Sequence, residues 1–327
     1  MKTAFVTGAT GFLGRHLVDV LLEQGWHVTA MVRNIQSAQK ILGDKVTLKK
    51  GDLTIPQTIF AAIPDKVDAV FHTAADTSTW AKEEKRQSAV NIEGTRMLLQ
   101  AILDKDVHRL IHVSSIAVFG EQENLITEKT ARTGAESWIP YTHTKSFAER
   151  KVKEAVDRGL DAVIVNPTHI IGRYDSHNWA RLILRMANGT LPGTPPGRGN
   201  FANGRAVAEA TVAAYTLGKT GHNYILGGPN VSFHEFLETA AREIGNIKPP
   251  AVMPEFLLKT YAKVLSIKAK FSDTRPTVTL EEAHMACEKM DVSSEKAIKE
   301  LGYKIIPLEQ SVRESITYLK EADLLPK

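Results

Sequence analysis

The chain has 327 residues, which at roughly 100–200 residues per domain predicts two domains, or one large domain with an inserted module, and a substantial core. Its 43% apolar and 24% charged residues are those of an ordinary globular protein and exclude collagen-like, disordered and disulfide-scaffold classes. The 41 basic and 37 acidic residues leave a net charge of +4 with no block of like charge, which speaks against a nucleic-acid tail and only weakly for anionic small ligands.

The first apolar run, in MKTAFVTGATG, meets a glycine cluster at Gly8, too soon and without a cleavage site for a signal peptide. No apolar stretch approaches the roughly 18 residues that span a membrane. The single cysteine, Cys287, allows no intrachain disulfide and no cysteine-based metal cluster. A cytoplasmic protein without membrane insertion is expected. Up to about residue 165, short apolar runs alternate with amphipathic stretches, the pattern of βαβ units around a parallel sheet. Strands are predicted at Thr3–Thr7, His27–Val32, Val46–Lys49, Ala69–Thr73, Leu110–Ser114 and Ala162–Asn166, and helices near Phe12–Glu23, Ser37–Leu42, Lys82–Asp104 and Tyr141–Asp157. After Pro167 the rhythm changes to a Gly/Pro-rich loop over 191–200, a helix near 204–217, a strand at Asn223–Leu226 and a mostly helical tail.

Gly8, Gly11 and Gly14 follow the first strand directly and open the first helix. Glycines at this spacing permit a tight turn, close approach of backbone to a pyrophosphate, and close packing of helix on sheet, while the helix N-terminus offers free N–H groups. Thr10, Phe12 and Leu13 lie within the same loop. The predicted architecture is therefore an α/β, Rossmann-type doubly wound parallel sheet with a smaller, mostly helical substrate module. The first would comprise 1–171 and 202–227, the second 172–201 and 228–327. Arg33 ends the second strand 19 residues beyond Gly14. A dinucleotide lacking a 2′-phosphate is usually met there by Asp or Glu, whereas arginine suits the extra phosphate of NADP(H), so NAD(H) is the less favoured cofactor. The alternative for Arg33 is a solvated surface side chain. Two further loops fit the same cleft: Asp52 and Leu53 after the third strand, with Asp52 placed to accept from the adenine amino group, and Thr73, Ala74 and Ala75 after the fourth.

Tyr141 and Lys145 stand one helical turn apart, so both can project from one face, shortly after Ser114-Ser115 closes the fifth strand. To reduce a ketone or aldehyde, a proton must reach the developing alkoxide as hydride arrives from the nicotinamide. Tyr141 is the candidate acid, Lys145 the cation that favours its phenolate, and Ser115 the hydrogen-bond donor to the substrate oxygen. Asn91 is a candidate for a water-mediated proton path to Lys145, or else a polar helix residue without a catalytic part. The eleven histidines include no H-E-x-x-H, and no metal is implied. The stretch Glu255–Phe271 interleaves Phe256, Leu257, Leu258, Tyr261, Val264 and Leu265 with Lys259, Lys263, Lys268 and Lys270, and is read as a lid helix packing its apolar side inward in preference to a membrane-surface element. The segment PPGRGNFANGR has too few basic and aromatic residues for a nucleic-acid groove.

Taken together, VTGATGFLG, VFHTAADTSTW, VNIEGTR, IHVSSIAVFG, YTHTK and NYILGG resemble the extended short-chain dehydrogenase/reductase superfamily, and HTAADTSTW, NYILGGPNVSFHEFLE and SSEKAIKELGY are most similar to its dihydroflavonol-4-reductase-like and hopanoid-associated sugar-epimerase-like branch. The resemblance implies Tyr141 and Lys145 as the catalytic pair. It implies Ser115 as third member, five residues before Gly120. It also implies that Pro167, Thr168 and Ile170 line the nicotinamide, and that a homodimer forms through the helices at 82–104 and 141–157. The chain departs from the family pattern at Gly172-Arg173-Tyr174-Asp175, where G-P-x-D is usual, and at Asn203-Gly204-Arg205-Ala206, where an H-V-D-D-type segment is usual. Either Arg173 or Arg205 meets an anionic substrate, or both are surface arginines. Substrate contacts are expected from Phe119 and the loop after it, from Tyr174, His177 and Trp179, and from 191–203. The function expected is reduction of a carbonyl on a small, moderately apolar molecule. An NAD-retaining nucleotide-sugar epimerase or dehydratase and a non-catalytic NADP-sensing module are the alternatives.

Overall fold

The computed structural model describes residues 1–245, 247–272 and 274–326. Six of the seven strands of its main sheet come from the first half of the chain: β1 (Thr3–Thr7), β2 (His27–Val32), β3 (Thr47–Lys50), β4 (Ala69–His72), β5 (Arg109–Val113) and β6 (Ala162–Pro167). Each lies within one residue of its predicted bounds. Interleaved with them are α1 (Phe12–Glu23), α2 (Ile35–Leu42), α3 (Pro56–Ala62), α4 (Glu84–Gln87), α5 (Gly94–Asp104) and α6 (Pro140–Val156). The chain continues through β7 (His169–Ile171), α7 (Ala180–Ala187), β8 (Arg198–Asn203), α8 (Gly204–Leu217), β9 (Asn223–Leu226) and β10 (Asn230–Ser232), then α9 (Phe233–Ile244), α10 (Glu255–Ser272), α11 (Leu280–Met285), α12 (Glu295–Leu301) and α13 (Leu308–Glu321).

The main sheet runs β3-β2-β1-β4-β5-β6-β9 with every pairing parallel. Parallel strands buried on both faces explain the continuous apolar runs of the sequence. One layer of core joins α1 and α8 to the sheet through Leu17, Leu21, Val207 and Tyr224; the other joins α3, α5 and α6 through Ile59, Leu98, Ile102 and Val152. Strand order reverses between β1 and β4, so the carboxyl ends of these strands open the crevice in which doubly wound folds take their ligands.

A second core, built from Ile183, Phe201, Phe236, Leu237, Val312 and Ile316, unites α7, α9 and α13. Beside it a small sheet pairs β8 in parallel with β7 and antiparallel with β10. Residues 198–200 were expected in a Gly/Pro-rich loop and instead begin β8. Its partners are distant in sequence, and Gly199 leaves room for the His169 ring, since a Cβ there would lie 2.4 Å from Nδ1. Nor is the helix expected over Lys82–Asp104 continuous. Residues Ser88–Glu93 form a wide π-helical segment between α4 and α5. Gly94 then lets the chain approach Leu53, whose Cβ would be 2.9 Å from an added Cβ.

Candidate active site

The glycine loop at the end of β1 is a cradle that larger residues would fill. Gly8 has φ +75°, and a Cβ on it would sit 2.6 Å from the Ala74 nitrogen; at Gly14 it would sit 2.0 Å from the Gly8 carbonyl oxygen. The N-cap of α1 is Gly11, with no capping side chain and no acidic residue in the first turn, so the first N–H groups are left for an anionic ligand. Around this cradle, Gly51 N donates to the Val32 carbonyl (3.0 Å), and Thr73 Oγ1 donates to the Thr7 carbonyl (2.7 Å), drawing the ends of β1 to β4 together. One Asp52 oxygen accepts from Thr54 N (2.8 Å) and Oγ1 (2.7 Å), and Leu53 is buried. Arg33 is exposed at the end of β2. These residues fit a nicotinamide dinucleotide. Gly14→Ala is expected to cost about 1–3 kcal/mol of stability, because the obstacle is backbone that cannot step aside. Thermal melting and dinucleotide fluorescence titration check this, and wild-type values in both would contradict the cradle.

Ser115, Tyr141 and Lys145 are brought together where β5 and α6 meet. The Tyr141 phenol, half-buried, lies near the Ser115 hydroxyl. Ser115 caps the short turn 116–119 by accepting from Ala117 N (3.2 Å). Burial raises the phenol above its ordinary pKa and the neighbouring Ser115 hydroxyl opposes this, so Tyr141 holds its proton at neutral pH. Lys145 is buried, and its ammonium donates to the Val113 carbonyl (2.9 Å). Burial lowers its pKa to about 8, with Glu149 pulling the other way.

Sequence reasoning missed Glu149, one further turn along α6. It is almost wholly buried and receives five donors on two oxygens: Ser114 Oγ (2.7 Å), Asn166 Nδ2 (2.8 Å), Arg132 Nε (2.9 Å), Asn223 Nδ2 (3.1 Å) and Lys153 Nζ (3.1 Å). Burial pushes its carboxyl up, but Lys153, Ser114, Arg132 and Asn166 more than offset this and leave it below the usual range. Glu149 thus ties β5, β6 and β9 to the helix bearing Tyr141 and Lys145. The four-residue spacing from Lys145 to Glu149 is the signal that could have found it.

Asn91 makes no direct hydrogen bond to Lys145 among the described residues. From the π-helical segment its Oδ1 accepts from Asp76 N (2.7 Å), and its Nδ2 donates to the Asp76 carbonyl (2.9 Å) and to Thr144 Oγ1 (3.1 Å). Its amide clamps the loop carrying Thr73, Ala74 and Ala75 to α6. Pro167 ends β6 beside the trio. Thr168 is buried and donates to Asn200 Oδ1 (2.8 Å), and Ile170 follows within β7.

Several expected substrate contacts lie elsewhere. Phe119 is fully buried with Val118, Ile126 and Ile225, under the Arg132 guanidinium, because the turn after Ser115 folds it inward. Arg173 pairs with Glu321 of α13 (2.7 Å), and Arg205 binds Glu209 (2.8 Å) and Glu23 of α1. Both arginines therefore have carboxylate partners within the chain. Tyr174, at φ +74°, donates to Asp19 Oδ2 (3.0 Å) and stacks on Arg15, whose guanidinium carbon lies 3.7 Å from the ring centre. Arg173, Arg205 and Tyr174 line a cavity of about 490 Å³ with His16 and Glu314, along α1 and α13 and apart from the trio. The departures from the family pattern thus couple α1 to α13. His177 is exposed, and Trp179 packs on His169 with ring centres 4.1 Å apart.

Residues 4–227 match the model of the NAD dependent epimerase/dehydratase family. A putative dihydroflavonol 4-reductase of Synechocystis sp. is 30% identical over 332 residues, covering 97% of this chain and 94% of that protein. Sterol demethylase protein B of Methylococcus capsulatus is 32% identical, covering 80% of each chain. The crystal structure of gox2253 superposes over the whole of both chains with a TM-score of 0.86 at 32% identity. The glycine cradle, the Ser115, Tyr141 and Lys145 cluster and these likenesses lead to one conclusion: the chain belongs to the NAD dependent epimerase/dehydratase family, the extended short-chain dehydrogenase/reductases, whose members bind a nicotinamide cofactor.

Proposed function

We propose that the protein is an NADP(H)-dependent reductase of a ketone or aldehyde on a small, moderately apolar molecule. The observation that carries this reading is the placement of Tyr141 near Ser115 at the carboxyl end of β5, with the buried Lys145 ammonium one turn along α6 donating to the Val113 carbonyl. When bound, the reduced nicotinamide supplies the hydride. Gly8, Gly11, Gly14 and the α1 N-terminus would hold its pyrophosphate, and Arg33 its 2′-phosphate. Ser115 orients the carbonyl oxygen by donating to it. Tyr141 gives that oxygen its proton as it becomes an alkoxide, and Lys145 stabilises the phenolate left behind. An apolar substrate is supported by the reductase and sterol-processing names of the relatives.

A panel of ketones and aldehydes scored by NADPH absorbance tests the activity, and substrate-dependent NADPH oxidation is expected. Arg33→Ala is expected to weaken NADPH about tenfold or more while leaving NADH nearly unchanged, since only the former carries the phosphate that a guanidinium binds. Equal losses in a fluorescence titration would overturn the NADP preference. Purified protein carrying stoichiometric NAD and converting nucleotide sugars without added cofactor would instead favour an epimerase.

A further inference from the structure

Helix α10 exposes what an amphipathic helix ordinarily hides. Its inner side buries Leu258, Ala262 and Ala269, with Leu258 and Ala262 against Ala283 of α11, while Tyr261 and Leu265 are half-buried. The sequence-based expectation of a lid helix with its apolar side inward is therefore only half met. Phe256 is 67% and Phe271 89% exposed, and Leu257, Val264 and Ile267 are open to solvent as well. At 3.6 residues per turn these five fall within about 100° of arc on the outward side. Lys263 borders one margin of that stripe and Lys268 the other, both exposed, while Lys259, beside Lys263, pairs with Glu255 (2.6 Å). The side chain of Lys270 lies outside the described residues.

We infer that this face of α10 docks on an anionic lipid surface, the five apolar side chains entering the headgroup and acyl boundary and the flanking lysines meeting lipid phosphates. An apolar stripe with cations on both margins is the arrangement an interfacial helix requires, because the lysine stems extend along the apolar surface and carry their charge to the headgroups. A second copy facing the same stripe across a twofold axis would set lysines against lysines. The face is also connected to the site. Helix α11, on which α10 packs, is joined to the loop after β4 by Thr279 Oγ1 donating to the Thr79 carbonyl (3.0 Å) and by Ala81 N donating to Glu281 Oε1 (3.1 Å). The docked face thus lies one helix away from the loop that follows β4. The docking itself stands independently of the carbonyl reading.

The test is co-sedimentation of the full chain with vesicles of phosphatidylcholine alone and of phosphatidylcholine with phosphatidylglycerol, alongside light scattering for oligomeric state. Binding to the anionic vesicles is expected, about fivefold weaker for each of Lys263→Gln and Lys268→Gln. It should be lost in the double variant Ile267→Ser, Phe271→Ser, with melting temperature and NADPH titration unchanged. Failure of the wild-type chain to sediment with either vesicle, or equal sedimentation of the apolar double variant, would overturn the inference. So would a stable dimer dissociated by that double variant without any vesicle binding, which would make the face an interface between copies.

Discussion

Tyr141→Phe is expected to reduce carbonyl turnover by about 10²–10⁴-fold, the contribution of a positioned general acid. The substitution removes one oxygen from a half-buried ring and leaves Ser115 with its bond from Ala117 N, so the loss of stability should be no more than about 1 kcal/mol. NADPH titration and melting should therefore remain near wild type while turnover collapses. Unchanged turnover of a responsive carbonyl would exclude Tyr141 as the proton donor. The pH profile carries the same assignment. Below about pH 8 Lys145 is charged; as pH rises through that value the cation is lost, and with it the support for the phenolate. The free-enzyme profile, kcat/KM, should hence fall on the alkaline side near pH 8.

Glu149→Gln is expected to destabilise the fold by about 3 kcal/mol, read by denaturant titration, although the two side chains have the same size. All five groups around the carboxylate are donors, and an amide would place its own N–H₂ among them. Arg132 and Lys153, about a third exposed, regain some hydration, which keeps the cost at the low end of that for breaking a buried pair. Because the folded carboxyl lies below its ordinary pKa, its contribution is present above the unfolded value and lost as pH falls through the folded one; the variant should show a shallower acid limb of stability. A merely structural role would leave the activity profile alone. Glu149 also holds the Lys145 proton in place, so the alkaline fall in kcat/KM should move below pH 8 in the variant. An unmoved profile would confine Glu149 to the fold.

The strands of the parallel sheet, α1 and α8 could be read from sequence because each is a local pattern: an apolar run punctuated by glycine, or a periodic stripe between turns. The same holds for the glycine cradle and for the Tyr141 to Lys145 spacing, where chemistry and secondary structure share one short segment. Strands β7, β8 and β10 could not be read, since each is short and is defined by partners far along the chain. Nor could the π-helical segment around Asn91, which precedes the close approach of Gly94 to Leu53.

By itself the sequence determined the doubly wound sheet and the segments that stand at the carboxyl ends of its strands. Only the tertiary structure decided which charges are already spoken for. Arg173 and Arg205 read as open cations, yet Glu321, Glu23 and Glu209 pair with them; Phe119 read as a cleft residue, yet its turn buries it. Glu149 read as one more helix carboxylate, yet five donors meet on it. On α10, periodicity identified an amphipathic helix, but only packing could show that its large apolar residues face outward. The physical reason is common to all: the pairing of a charge and the burial of a side chain are set by neighbours in space, which a linear pattern does not encode.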